Sequence, residues 1–144
     1  MPKKITPASF RKYGKLIHYP DIQTKDKHKN LFRIVLSESR GHGWRIAYLV
    51  VRDRVIGDLE RHPGTFETFE PVKGRVLLYV ARDRDARKID CFLLDRPIVL
   101  FKGVWHGVVS LDREAEIKIT ENAVVSCEYW STGLRLNGTF GRES

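Results

Sequence analysis

The sequence predicts an all-β fold that closes into a two-sheet sandwich or a barrel. Short runs rich in Val, Ile, Tyr and Phe follow one another from residue 31 onward, and such runs are typical of strands. Gly, Pro and Asn separate the runs at short intervals, as turns between strands require. No long amphipathic helix is visible. Many short strands with frequent turns favour a sandwich or a barrel.

One short helix is predicted ahead of the strands. Thr6 can cap it and Pro7 suits its first position, so we expect a helix over residues 7–13, with Gly14 as a left-handed C-terminal cap. Residues 15–18 begin an extended segment, and the polar residues 20–30 predict a loop. Strands are then predicted at residues 31–36, 44–52, 55–61, 75–81, 89–94, 98–101, 108–111, 116–120, 123–130 and 138–140.

Length and composition indicate one domain over residues 1–144. The longest apolar run covers residues 46–51, far short of the roughly 20 residues that a membrane-spanning helix needs. The basic first residues are not followed by the apolar segment of a secretory signal, so we expect a cytoplasmic protein. Cys91 and Cys127 lie far apart and are expected to be reduced, buried thiols.

The formal net charge of +8 comes from scattered basic residues. A surface that binds nucleic acid usually clusters them with aromatic side chains, so we expect no nucleic-acid partner. Residues 82–90 mix both signs of charge and predict a solvated hairpin loop. The positive field of the whole protein would still favour anionic small molecules.

Four ionisable side chains form the most informative pattern. Glu60 and His62 are two residues apart on a predicted strand, so their side chains point to the same face. Glu67 follows a Pro-Gly turn that folds the chain back, and His106 stands at the start of a later strand. Burying such groups is costly unless they pair or bind an ion, so we expect all four in one interior pocket.

The spacing of these residues resembles the two sequence motifs of the cupin superfamily. Glu60 takes the place of a further His in the first motif. The similar segments are His62-x4-Glu67-x6-Gly74 and Gly103-x2-His106. The resemblance implies a double-stranded β-helix, also called a jelly-roll barrel, behind the short N-terminal helix. It also implies that the matching residues converge inside the barrel, where cupins usually hold a divalent metal.

A narrower resemblance is to the ureidoglycolate lyase (ureidoglycolate hydrolase) family. Three blocks carry it in the same order: ASFRKYGKLI, LERHPGTFETFEPVKG and GVWHG. It implies a lyase of purine catabolism, in allantoin degradation, that splits the small carboxylate ureidoglycolate into glyoxylate and urea. The resemblance to cupins also implies a homodimer that pairs through its sheets.

Two kinds of chemistry stay open for this pocket. Two imidazoles and two carboxylates suit Zn²⁺, Mn²⁺, Fe²⁺ or Ni²⁺. A metal-free site would instead use His62 and His106 as acid and base near neutral pH, with Glu60 or Glu67 orienting them or sharing the proton transfer. The pattern therefore predicts these four residues as catalytic groups, or as metal ligands if a metal is bound.

Two lysines are candidate ligands for a substrate carboxylate. Lys73 and Lys102 each precede a glycine beside one of the motifs, although a solvated turn lysine is the simpler interpretation. Two other function classes stay open: a metal-dependent cupin isomerase, dioxygenase or decarboxylase, and a cupin that only binds a small ligand.

Overall fold

The computed structural model describes residues 2–18, 32–138 and 142–143. These residues form one α-helix, α1 (Pro7–Phe10), and a short 3₁₀ turn at Ala86–Lys88. The strands are β1 (Lys3–Lys4), β2 (Gly14–Leu16), β3 (Arg45–Val51), β4 (Val55–Arg61), β5 (Glu67–Lys73), β6 (Val76–Ala81), β7 (Asp90–Leu93), β8 (Ile98–Leu100), β9 (Trp105–Ser110), β10 (Ala115–Glu121), β11 (Glu128–Asn137) and β12 (Arg142–Glu143).

Eight consecutive strands pair in a nested order. β3 pairs with β10, β4 with β9, β5 with β8 and β6 with β7, and every pair is antiparallel. The outermost two of the eight pair with each other, as do the innermost two, so the chain winds as a jelly roll. The predicted all-β class, a double-stranded β-helix with a short N-terminal helix, is confirmed.

The described strands lie in two sheets. Their orders are β1-β7-β6-β9-β4-β11-β12 and β2-β8-β5-β10-β3. β6 lies inside the larger sheet, and all six of its residues are buried because its sequence is apolar on both faces. β10, in the five-stranded sheet, alternates strictly between buried and half-buried residues, because only one of its faces packs on the core.

An aromatic cluster fills the interior where α1 packs on β7. The rings of Phe10, Tyr13 and Phe92 have centroids between 5.2 and 5.9 Å apart, in tilted and edge-to-face contacts. The Tyr13 hydroxyl donates a hydrogen bond to Asp90, and the Lys3 ammonium lies 2.7 Å from the same carboxylate. We name Phe10, Tyr13 and Phe92 the aromatic core.

The helix begins as predicted but ends early. Thr6 accepts a hydrogen bond from the Ser9 amide and Pro7 occupies the first turn, but α1 stops at Phe10 instead of continuing to residue 13. The prediction of Gly14 as a left-handed cap is wrong. Gly14 is the first residue of β2, and a Cβ there would stand 1.9 Å from the Val99 carbonyl oxygen. Glycine is needed at this position because the backbones of β2 and β8 approach each other closely.

Several strand predictions need correction. Residues 32–36 form no strand, and residue 31 lies outside the described residues, as does the predicted loop at 20–30. The strand predicted at 108–111 already begins at Trp105. The strand predicted at 123–130 begins only at Glu128 and runs to Asn137, while 139–140 lie outside the described part.

Among the described strands that the sequence did not predict, β5 is the longest. It contains Pro71, which argues against a central strand. In the structure, β8 pairs with Glu67–Phe69 only, and the β5–β10 register shifts at Ile117, opposite Pro71. Pro71 therefore lies where the hydrogen bonding between neighbouring strands is already interrupted, and its missing N–H costs no regular hydrogen bond.

The surface features agree with the sequence except at the cysteines. β6 and β7 pair as a hairpin, and residues 82–84 of its loop are exposed. Neither cysteine is in a disulfide, but Cys127 is exposed and Cys91 is half-buried, so the prediction of two buried thiols is wrong. Within the described residues, no helix has the length and apolar character to cross a bilayer.

Candidate metal centre and cavity

The jelly roll brings Glu60, His62, Glu67 and His106 together between its two sheets. Glu60 lies on β4 directly opposite His106 on β9. His62 follows the end of β4, and Glu67 begins β5 in the other sheet after the intervening turn. His62, Glu67 and His106 are at most 6% exposed, whereas the Glu60 side chain is 38% exposed. We name these four residues the polar cluster.

One carboxylate of the polar cluster faces both imidazoles. His106 Nε2 lies 3.0 Å from Glu67 Oε1, and His62 Nε2 lies 3.5 Å from Glu67 Oε2. The Glu60 Oε1 atom is 3.7 and 3.8 Å from the same two nitrogens. The two imidazole rings have centroids 5.2 Å apart. All four side chains thus face one small volume.

The other nitrogen of each imidazole identifies the tautomer. His62 Nδ1 lies 3.2 Å from the Ser126 carbonyl oxygen, and His106 Nδ1 lies 3.0 Å from that of Val104. A carbonyl oxygen only accepts, so both Nδ1 atoms carry a proton. In a neutral imidazole Nε2 then holds a lone pair, which here faces a carboxylate oxygen. Two lone pairs that face each other need a cation between them.

The buried atoms fit a metal ion. His106 Nε2 and Glu67 Oε1 are 3.0 Å apart but not aligned as a hydrogen bond, so neither has a hydrogen-bond partner in the described chain. One ligand atom from each of His62, Glu67 and His106 can be chosen so that all three lie within 4.8 Å of one another. Backbone carbonyls that hold Nδ1 are the usual outer support of a metal-binding imidazole.

Electrostatics of the cluster favour ionised groups. Burial alone would lower the pKa of His62, but the hydrogen bond and charge of Glu67 raise it to about 9. Burial alone would raise the pKa of Glu67, but the neighbouring imidazoles of His106 and His62 hold it well below its usual range. The cluster therefore attracts positive charge, whether a proton or a metal ion.

A third carboxylate supports Glu67 from β10. Glu121 is 7% exposed and contacts Glu67, and the Arg45 guanidinium lies 2.7 and 2.9 Å from its Oε2 atom. Burial, and then the contact with Glu67, raise the pKa of Glu121, while Arg45 opposes this effect. A chain of contacts thus connects edge strand β3 to the polar cluster.

A cavity of about 420 Å³ opens beside the polar cluster. Apolar side chains from both sheets make most of its wall, while Glu60, Glu67 and His106 lie at its inner end. The remaining polar lining residues are Arg52, Asp53, Asp58 and Tyr129. A concave apolar wall with a few convergent polar groups is the usual form of a small-molecule site.

Neither lysine proposed for a substrate carboxylate lines this cavity. Lys102 lies 2.7 Å from the Glu38 carboxylate, and its ammonium stands 5.1 Å from the centre of the Phe66 ring. Lys73 is exposed at the end of β5. The structure therefore does not bring these two residues to the polar cluster.

Sequence reasoning missed three residues of the site. The alternation of β10 could have found Glu121, which shares the buried face of Ala115, Ile117 and Ile119. Cys127, whose Sγ atom is 3.5 Å from His62 Nδ1, forms a second group of possible ligands with Glu60 and His62. Tyr129 pairs with Glu60 across β4 and β11. No local signal marks Cys127 or Tyr129, because pairing between distant strands places them.

Comparisons with known proteins find a likeness in shape only. No protein-family model and no curated protein matches it. Among solved structures, a vicilin from Solanum lycopersicum is 16% identical, with a TM-score of 0.47, and covers 63% of this chain. The oxalate decarboxylase of Bacillus subtilis, a protein with Mn(II) centres, is 17% identical, with a TM-score of 0.46, and covers 62%. The chain spans only 26% and 24% of those two proteins. The likeness is partial, and nothing about activity follows from it.

Proposed function

We propose that this chain is a cupin-type enzyme that binds a divalent metal and acts on a small carboxylate held in the cavity. One observation carries the proposal: His106 Nε2 and Glu67 Oε1 are buried, face each other and lack hydrogen-bond partners in the described chain. Burial of such atoms costs about 1–3 kcal/mol each unless something satisfies them. The motif spacing and the nested strand order support membership of the cupin superfamily.

His62, Glu67 and His106 are the residues that would hold the metal. Two imidazoles and a carboxylate suit Zn²⁺, Mn²⁺, Fe²⁺ or Ni²⁺, and the donor set does not select among them. A bound divalent ion supplies positive charge that polarises substrate oxygen atoms. The carbonyl groups of Ser126 and Val104 fix the two rings so that Nε2 faces inward.

Glu60 is the residue best placed to move a proton. It borders the cavity, its side chain is partly exposed, and its Oε1 atom lies within 3.8 Å of both imidazoles. A carboxylate in this position can accept a proton from a substrate hydroxyl and exchange it with solvent. The apolar wall beside it excludes water from the rest of the substrate.

Cleavage of ureidoglycolate is the first reaction to test. A base must remove the proton of the carbinol hydroxyl, the C–N bond breaks as the carbonyl forms, and an acid must protonate the departing urea nitrogen. Glu60 would act as the base. The three sequence blocks that resemble the ureidoglycolate lyase family support this substrate. Its carboxylate would need the metal as its cation, because Lys73 and Lys102 lie elsewhere.

The test combines metal analysis with turnover. The purified full-length chain should contain nearly one equivalent of a divalent metal and should release glyoxylate from ureidoglycolate. Glu60→Gln should abolish glyoxylate release and retain the metal, whereas Glu116→Gln, on the outer face of β10, should change neither. Full turnover by metal-depleted protein would overturn the metal part of the proposal.

Metal-free acid–base catalysis by the two imidazoles is the second candidate. The raised pKa of His62, about 9, favours it because an imidazolium at neutral pH is a ready acid. His106→Ala separates the two candidates when metal content and glyoxylate release are measured together. Loss of glyoxylate release from a chain that never held metal would favour the second candidate.

A further inference from the structure

The outer half of the cavity is acidic although the chain as a whole is basic. Asp58 precedes Glu60 by two residues on β4, so both side chains share one face and their Cα atoms are about 6.7 Å apart. Both residues line the cavity, and so does Asp53. The acidic face of the polar cluster therefore continues outward along β4.

No basic side chain of the described chain neutralises this outer half. Arg52 is the one basic residue in the lining, and its guanidinium lies 2.9 Å from Glu114, which is outside the lining. Asp58 accepts a hydrogen bond from the Ser131 hydroxyl at 3.0 Å, which leaves its charge uncompensated. Within the described residues, Asp53 and Asp58 have no ion pair.

The inner end of the cavity shows independently that the site is built for a ligand. His106 and Glu67 line the cavity, are 4% and 6% exposed, and each directs an unpartnered polar atom into the polar cluster. Even a divalent ion there would balance only two of the four lining carboxylates, which are Asp53, Asp58, Glu60 and Glu67. The surplus negative charge lies at the outer end.

An aromatic ring stands beside the same carboxylates. Tyr129 lies opposite Glu60 in the β4–β11 register, is 68% exposed, and lines the cavity. The face of a tyrosine ring attracts organic cations. Carboxylates together with an open aromatic face form the chemistry that recognises a protonated nitrogen.

We infer that the ligand of this cavity carries a cationic nitrogen at its outer end and oxygen atoms at its inner end. Asp58 and Tyr129 would bind the nitrogen, and the apolar wall would pack against the carbon chain between the two ends. The inference rests on the proposed function for the inner end only. It refines the substrate class from a small carboxylate to a small zwitterion, so a zwitterion should bind more tightly than ureidoglycolate, which carries no cationic nitrogen.

Three acids of similar length test the outer end. We expect the Mn²⁺-loaded full-length chain to bind 5-aminopentanoate about tenfold more tightly than hexanoate, and hexanoate more tightly than adipate, when each is titrated calorimetrically. The acids share the carboxylate that meets the inner end and differ in the charge at the other end. Adipate binding as tightly as 5-aminopentanoate would overturn the inference.

Variants assign the effect to the acidic residues. Asp58→Asn keeps the hydrogen bond from Ser131. It should weaken the binding of 5-aminopentanoate about fivefold and leave the binding of hexanoate unchanged. Tyr129→Leu should weaken the binding of 5-aminopentanoate by a smaller factor. Asp83→Asn, in the exposed loop after β6, is the matched control and should change nothing. An unchanged affinity in Asp58→Asn contradicts the proposed contact.

The two proposals can fail separately. If the protein holds no metal, the same comparison is made on the metal-free chain with pentylamine and pentanoate. Tighter binding of pentylamine would then retain the cationic site and reject the metal. Stoichiometric metal together with a preference for adipate would retain the proposed function and reject the cationic site.

Discussion

Two parts of the same interior hold opposite kinds of side chain. The aromatic core of Phe10, Tyr13 and Phe92 packs tightly beneath α1, and its one polar atom, the Tyr13 hydroxyl, has a partner. The polar cluster holds two imidazoles and a buried carboxylate, and two of its atoms lack hydrogen-bond partners in the described chain. Packing of the aromatic core stabilises the fold. The polar cluster is less stabilising than apolar residues of the same volume would be, and we therefore propose a functional role for it.

Loss of an aromatic ring should have the largest effect on stability. Phe92 is fully buried and contacts both other rings of the aromatic core, so Phe92→Ala should lower the free energy of unfolding by about 3–5 kcal/mol. Denaturation in urea measures the change. Phe32→Ala removes a ring that is 86% exposed and should cost less than about 0.5 kcal/mol. Metal affinity should be the same in both variants.

Removal of the buried carboxylate should reduce metal affinity as well as stability. Glu67→Leu should reduce metal affinity by about 100-fold or more, because a ligand is lost. It should also destabilise the metal-free protein, because His62 would be left buried without the carboxylate that raises its pKa. Competition with a chelating dye measures the affinity, and denaturation in urea measures the stability. Glu70→Leu, on the outer face of β5, is the control. Unchanged metal affinity in Glu67→Leu would contradict the role of Glu67 as a ligand.

The edge strand beside the cavity exposes apolar side chains. β3 borders the cavity at the edge of the five-stranded sheet, where Ile46, Tyr48 and Val50 are 56%, 56% and 41% exposed. An antiparallel second copy centred on Tyr48 would place Ile46 opposite Val50, which are favourable cross-strand pairs. The homodimer expected from the sequence stays a prediction, and we propose that it would form through edge strand β3.

Sedimentation tests this dimer. The chain should sediment as a dimer, and Tyr48→Lys should weaken association at least about tenfold, because a lysine would then face its own copy. Val72→Lys alters an equally exposed apolar residue on β5 and should have no effect. A monomeric wild-type chain at tens of micromolar would contradict the prediction.

The smallest expected effect concerns the ion pair beside the aromatic core. Burial alone would raise the pKa of Asp90, but hydrogen bonds from Lys3 and Tyr13 hold it below its usual value. The folded state then binds the proton less tightly than the unfolded state. The stabilisation is full above the unfolded pKa of about 4 and disappears as the pH falls through the lower, folded pKa.

Asp90→Asn should therefore cost about 1 kcal/mol at neutral pH. The difference in free energy of unfolding between this variant and the wild type should shrink below about pH 4. Urea denaturation across the acid range measures the difference. Asp83→Asn, whose side chain is 70% exposed, should follow the wild type at every pH. A difference that grows toward acid pH would mean that the pKa of Asp90 is raised instead.

Most strands, the turns and the spacing of the motif residues could be predicted from local sequence. Local apolar patterns decide these features, because a strand with one buried face must alternate and a turn needs particular residues. The alternation of Glu60 and His62, together with the turn before Glu67, was enough to predict a shared pocket. β5 was not predicted because it contains Pro71. A proline fits in this strand only because the neighbouring strand β8 ends before it.

The closure of the fold selects the distant side chains that complete the site. Glu121, Cys127 and Tyr129 reach the polar cluster through contacts between residues more than 50 positions apart. Lys102 shows the reverse case, since it lies near His106 in sequence but pairs with Glu38. Register and pairing depend on how the whole sandwich closes, and short-range propensity carries no information about that closure.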